Sequence, residues 1–125
     1  MRYWIILFVA LLFNVFANIL MKAGAIHEKH TAVGAPLHTR IHHFMNTETM
    51  LSILLFAANV VLYRKALTGL PISVAYPVMV SLGLVLVIIL AHYIPAFKER
   101  ITVMQIVGMV MIVAGVWLVS RSMSN

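Results

Sequence analysis

The chain has 125 residues, 63% of them hydrophobic and only 10% charged, a balance that excludes an ordinary water-soluble protein of this size. At about 20 residues per membrane span, four helices fit, with short loops and one longer one, and no room remains for a separate globular domain. The net charge of +6 sets nine Lys and Arg against Glu28, Glu48 and Glu99; in so apolar a chain it points to anionic lipid and not to nucleic acid. The absence of cysteine excludes disulfides, thiolate metal sites and Cys nucleophiles.

The first apolar run, Tyr3 to Met21, is closed by Lys22 and Gly24 and predicts a helix over about 3–22. It lacks a small-residue cleavage site, so a retained helix is expected and not a signal peptide. The second helix is expected over 47–67, with Asn46 or Thr47 as cap, Glu48 at the positive end of the helix dipole, and Arg64 and Lys65 snorkelling to the far interface. Helices over 72–94 and 101–120 follow, bordered by Pro71 and Pro95. Tyr3, Trp4, Tyr63, Tyr93 and Trp117 fall near span ends, where amphipathic rings prefer to sit. The expected architecture is an all-α membrane protein, four transmembrane helices in one domain over 1–125.

Residues 24–46 form the one long connection and hold five of the six histidines. Leu37, Ile41, Phe44 and Met45 recur at helical spacing with His38, Arg40, His42 and His43 on the other sides, a pattern that suits a short helix in the headgroup layer. The histidines match no recognised metal-ligand spacing, so a solvated loop is expected and no metal or other cofactor. Charge leaves orientation undecided. Arg2, Arg64, Lys65 and Arg121 lie on the side of both termini, and Lys22, Lys29, Arg40, Lys98 and Arg100 on the other. Such a weak bias permits both orientations of one chain and an antiparallel dimer, or leaves topology to a partner or to the long loop.

Polar side chains at bilayer depth are costly and therefore informative. Asn14, Asn18 and Lys22 recur every fourth residue, on one stripe that ends in a cation. The third span repeats the spacing at Ser73, Pro77 and Ser81, with Tyr76 beside them and Gly83 beyond; Pro77 cannot donate to the Ser73 carbonyl and frees an acceptor. Asn59 lies mid-way along the second span. These helices are expected to enclose a polar-lined groove, although interhelical hydrogen bonds with no ligand suit Asn59, Ser73 and Ser81 better than ligand contact does, and suit Asn14 and Asn18 about as well. The last span, with Gly108 and Gly115 on one face, reads as a packing or dimerisation helix. No span core contains Asp, Glu, His, Lys or Arg, so a group that trades a proton for a cation within the bilayer is missing. No nucleophile, base and orienting group gather on one side, and no catalytic residue or enzyme activity is expected.

Asn14 to Lys22 (NVFANILMK), Leu70 to Pro77 (LPISVAYP), Gly83, Phe97 to Ile101 (FKERI) and Gly108 to Gly115 (GMVMIVAG), in this order, resemble the small four-helix members of the drug/metabolite transporter superfamily. The similarity spans the chain apart from residues 24–46. Two branches are similar. In the small multidrug resistance branch, the resemblance implies antiparallel dimers in which a first-helix Glu binds protons and cationic drugs in turn; Asn14 occupies the corresponding position and cannot titrate. Tyr76 matches that branch's third-helix aromatic, and Gly108 with Gly115 its dimer contact. The flippase subunits for undecaprenyl-phosphate-linked aminoarabinose also lack the Glu and share a segment like Ala75-Tyr76-Pro77, which implies transport of a lipid carrier.

The residues agree with the second branch. A groove with neutral hydrogen-bonding groups (Asn14, Asn18, Asn59, Tyr76, Ser81) and cations at its mouths (Lys22, Arg64, Lys65) could pass a lipid phosphate. Lys98 and Arg100 could serve the opposite mouth, or act as plain interfacial anchors. The expected function is a flippase for a polyprenyl phosphate or its sugar-linked form, in a bacterial inner membrane, as a homodimer or with a related short chain. A transporter of small cations or amines and a non-transporting partner subunit are the alternatives.

Overall fold

The computed structural model describes residues 1–31 and 33–123; within the expected 24–46 connection, Ala32 lies outside the described residues. The elements are α1 (Arg2–Thr31), α2 (Leu37–Phe44), α3 (Thr47–Ala66), α4 (Ile72–Tyr93), a 3-10 turn (Pro95–Phe97) and α5 (Val103–Ser122). By length and composition α1, α3, α4 and α5 can cross a membrane, and every element among the described residues is helical.

Helix α1 does not stop near Lys22. It runs on to Thr31, because Ala23, Ala25, Ile26, Glu28 and Lys29 tolerate helix well and one interior glycine costs only about 1 kcal/mol. Gly24 instead serves packing: it is buried, and a Cβ there would stand 2.5 Å from Thr49 Oγ1 and 3.0 Å from Asn46 Oδ1. The bare backbone lets the start of α3 rest on α1. Asn46 fastens the junction, accepting from Thr49 N at 2.8 Å to cap α3 and donating to the Gly24 carbonyl at 3.0 Å. The chain turns at Gly34, whose φ of +80° favours glycine.

The antiparallel α1 and α3 pair is the heart of the fold. Gly24 meets Thr49, Ser52 Oγ lies 3.6 Å from Met21 Sδ, and the Tyr3 ring lies over Gly69 at the other end. Buried positions are mostly small, Ala10, Ala17, Ala66, Ala75, Thr49, Ser52 and Ser81 among them, whereas Phe8, Phe16, Leu54, Val60 and Val61 face outward. That inversion of the soluble pattern is what a lipid solvent allows, since association there depends on close backbone approach and not on hiding apolar side chains. Helix α4 packs on α1 through a core of Leu7, Ala66 and Ala75 flanked by Tyr63, Val78 and Met79.

Helix α5 starts with a capping box, Thr102 Oγ1 accepting from Gln105 N at 3.3 Å and Thr102 N donating to Gln105 Oε1 at 2.9 Å. It packs against α4 and has no buried residue. Nothing lies within 4 Å of where a Cβ would stand on Gly108 or Gly115.

Candidate functional site

Asn14 and Asn18 come together with α4. They line an open groove of about 270 Å³ whose other wall is Met79, Val80, Gly83, Leu84 and Val87. Asn18 Nδ2 donates to the Asn14 carbonyl at 2.9 Å and to Asn14 Oδ1 at 3.1 Å, so the two amides form one polar step on an otherwise apolar floor. Gly83 keeps the opening: an added Cβ would lie 3.3 Å from Leu11 Cδ1 and 3.9 Å from Asn14 Oδ1.

Lys22 follows one turn beyond Asn18, and its Nζ lies 3.2 Å from Glu99 Oε1, each side chain about half exposed at 48% and 47%. Glu99 belongs to the linker between the 3-10 turn and α5. Its carbonyl is 3.2 Å from His92 Nδ1, and Lys98 before it adopts a left-handed φ of 53°. One turn beyond the groove, the Asn14–Asn18 stripe therefore ends in both signs of charge, drawn from α1 and from the linker.

The other expected residues are distributed differently. Arg64 and Lys65 are exposed in the last turn of α3, where cations suit the helix dipole, at the opposite end from Lys22. Lys98 and Arg100 flank Glu99 and so belong to the Lys22 end. Tyr76 does not line the groove; it is 59% exposed and stands one turn before Val80 on the same stripe of α4. Ser81 is buried and donates to its own helix at the Val78 carbonyl, 3.2 Å away. Asn59 is buried as well, and the register that pairs Met21 with Ser52 puts it level with Asn14. Its Oδ1, like the Tyr63 hydroxyl one turn on, has no hydrogen-bond partner among the described residues.

Sequence reasoning missed Glu99 as the partner of Lys22. It also missed the apolar wall from Met79 to Val87, of which only Gly83 was signalled. Nothing local connects Lys22 to a carboxylate so distant along the chain.

The sequence pattern of the Small Multidrug Resistance protein family matches residues 2–112. A probable 4-amino-4-deoxy-L-arabinose-phosphoundecaprenol flippase subunit ArnE from an Enterobacter species is 31% identical over 102 residues, 82% of this chain and 88% of the relative. A probable flippase subunit ArnF for the same lipid, from Photorhabdus laumondii, is 28% identical over 90% of this chain and 92% of its own length. The uncharacterized protein y4nH of Sinorhizobium fredii is 29% identical over 94% and 93%. No solved structure matches the chain.

Proposed function

The chain belongs to the Small Multidrug Resistance protein family, and from that premise we propose that it carries an anionic polyprenyl-phosphate lipid, bare or sugar-linked, across a bacterial inner membrane as half of a dimer. Membership makes it a multi-pass membrane transporter and not an enzyme.

One observation carries it. Among the described residues the only polar step on the groove floor is the neutral Asn14–Asn18 pair, Lys22 follows it on α1, and no span core holds a carboxylate. A buried phosphate needs hydrogen-bond donors and a nearby cation, and a fixed carboxylate would repel it. The Asn amides can donate, and the Lys22 ammonium can exchange the Glu99 carboxylate for a phosphate oxygen. The groove opens sideways between α1 and α4, so a prenyl tail can stay in the bilayer while the headgroup travels inside. The relatives described as flippase subunits for an undecaprenol-linked phosphate support the same cargo class.

Four helices enclose little volume, so the path needs a second chain, a copy of this one or a related short subunit. The uncovered Gly108 and Gly115 face of α5 supports a close-packed contact there.

Mass spectrometry of the lipid that co-purifies in native nanodiscs tests the proposal. A polyprenyl phosphate is the expected result, and its absence overturns it. The exposed Tyr76 ring beside the groove stripe favours a second reading, transport of small organic cations. That reading predicts cation-induced proton flux in proteoliposomes containing a pH dye, whereas lipid transport predicts none.

A further inference from the structure

The described residues between 25 and 45 take no part in the groove, yet they hold a distinct arrangement of charge and apolar surface. Because α3 begins level with Gly24, the last turns of α1 and the whole of α2 project past the end of α3. At about 1.5 Å per helical residue, this stretch of α1 rises about 10 Å, enough to cross a headgroup layer of about 5–8 Å. Asn46 ties the far end of the segment to Gly24, so α2 is held at that depth.

Helix α2 buries nothing. Leu37, Ile41 and Phe44 form one stripe and are 75%, 57% and 50% exposed. Arg40 and His38 flank this stripe. Arg40 also lines a groove of about 290 Å³ between α2 and α1 together with Ala25, Glu28, Lys29 and Val33. Lys29, Arg40 and five histidines stand against the single acid Glu28.

We propose that this hairpin is a docking element for an anionic bilayer surface. Leu37, Ile41 and Phe44 enter the boundary between headgroups and acyl chains, and Lys29 and Arg40 hold lipid phosphates beside them. An apolar stripe bordered by cations suits that boundary, where greasy side chains need cover and phosphates need counter-charges. A soluble protein partner fits less well, because the stripe is tethered within one turn of a spanning helix. The element is separate from the cargo groove, since Lys29 and Arg40 lie beyond Lys22, and the inference does not depend on what the groove carries.

The chain has no cysteine, so Leu37→Cys in the full chain accepts a single environment-sensitive fluorophore. The labelled protein is reconstituted in phosphatidylcholine vesicles with and without phosphatidylglycerol and quenched with the neutral quencher acrylamide. We expect a blue-shifted emission and several-fold weaker quenching when phosphatidylglycerol is present. Lys29→Gln with Arg40→Gln should erase the difference, and Lys29→Arg with Arg40→Lys should retain it. Equal quenching in both vesicles means a solvated α2 and overturns the proposal. Equal protection in both vesicles means that a protein neighbour, such as a second copy, covers the stripe, and overturns it too. Unchanged helical circular dichroism shows that each variant is folded.

Discussion

Lys22 Nζ sits 3.2 Å from Glu99 Oε1, joining the cation at the end of the Asn14–Asn18 stripe to the linker that leads into α5. Both side chains are half exposed, so the pair contributes no more than about 1 kcal/mol to stability. Lys22→Gln and Glu99→Gln should each leave thermal stability nearly unchanged. They should part in transport. With phosphate as the cargo, Lys22→Gln abolishes lipid movement in reconstituted vesicles, and Glu99→Gln strengthens headgroup binding because it removes the competing carboxylate. A vesicle flipping assay, paired with a binding measurement, reads both, and undiminished transport by Lys22→Gln would remove Lys22 from its role.

Asn14 offers its side chain to the groove and also accepts from Asn18. Asn14→Ala is expected to weaken lipid binding by roughly threefold to tenfold, the worth of one neutral hydrogen bond, with the dimer intact by cross-linking. Loss of the dimer with lipid binding unchanged would identify the Asn pair as helix glue.

Gly83 provides the test of the groove as space. Gly83→Ala needs only a shift of a few tenths of an ångström by the Leu11 methyl, and should transport nearly as the parent does. Gly83→Leu should fill the opening beside Asn14 and stop transport, while helical content measured by circular dichroism stays constant.

A side chain at Gly24 meets Thr49 and the capping amide of Asn46, which belong to the junction itself. Gly24→Leu should therefore destabilise the α1 and α3 pair by about 1–3 kcal/mol, the usual cost of overpacking. A lowered melting temperature in detergent checks it; an unchanged one would mean that the two helices do not approach so closely.

Gly108 and Gly115 face open space in the single chain. Gly115→Leu should be harmless to the fold of one chain and should weaken pairing if α5 is the contact, which light scattering of the detergent-solubilised protein measures. An unaltered dimer would move the interface to another helix.

Span number, caps and the neutral interior were legible without coordinates, because hydropathy and capping act over a few neighbouring residues. Thus Asn46, one of the two caps expected for the second span, sits as the N-cap of α3, and among the described residues the helices long and apolar enough to cross a membrane are four. Even here α1 continues past Lys22 to Thr31, since the glycine that suggested an end is used for contact with α3.

What the tertiary structure alone decided is which way each polar side chain turns and what it meets. Spanning helices are apolar on all sides, so they carry little amphipathic stripe from which a rotation can be read. Rotation and register are set by where small residues let backbones approach, as at Gly24 with Thr49. Only that packing set Asn14 and Asn18 against the Gly83 face, turned Ser81 into its own helix and brought Glu99 to Lys22. Residue order alone dictates a four-span membrane protein with an uncharged interior and cations at its edges; the distance between those cations and their partners is a property of the packed helices.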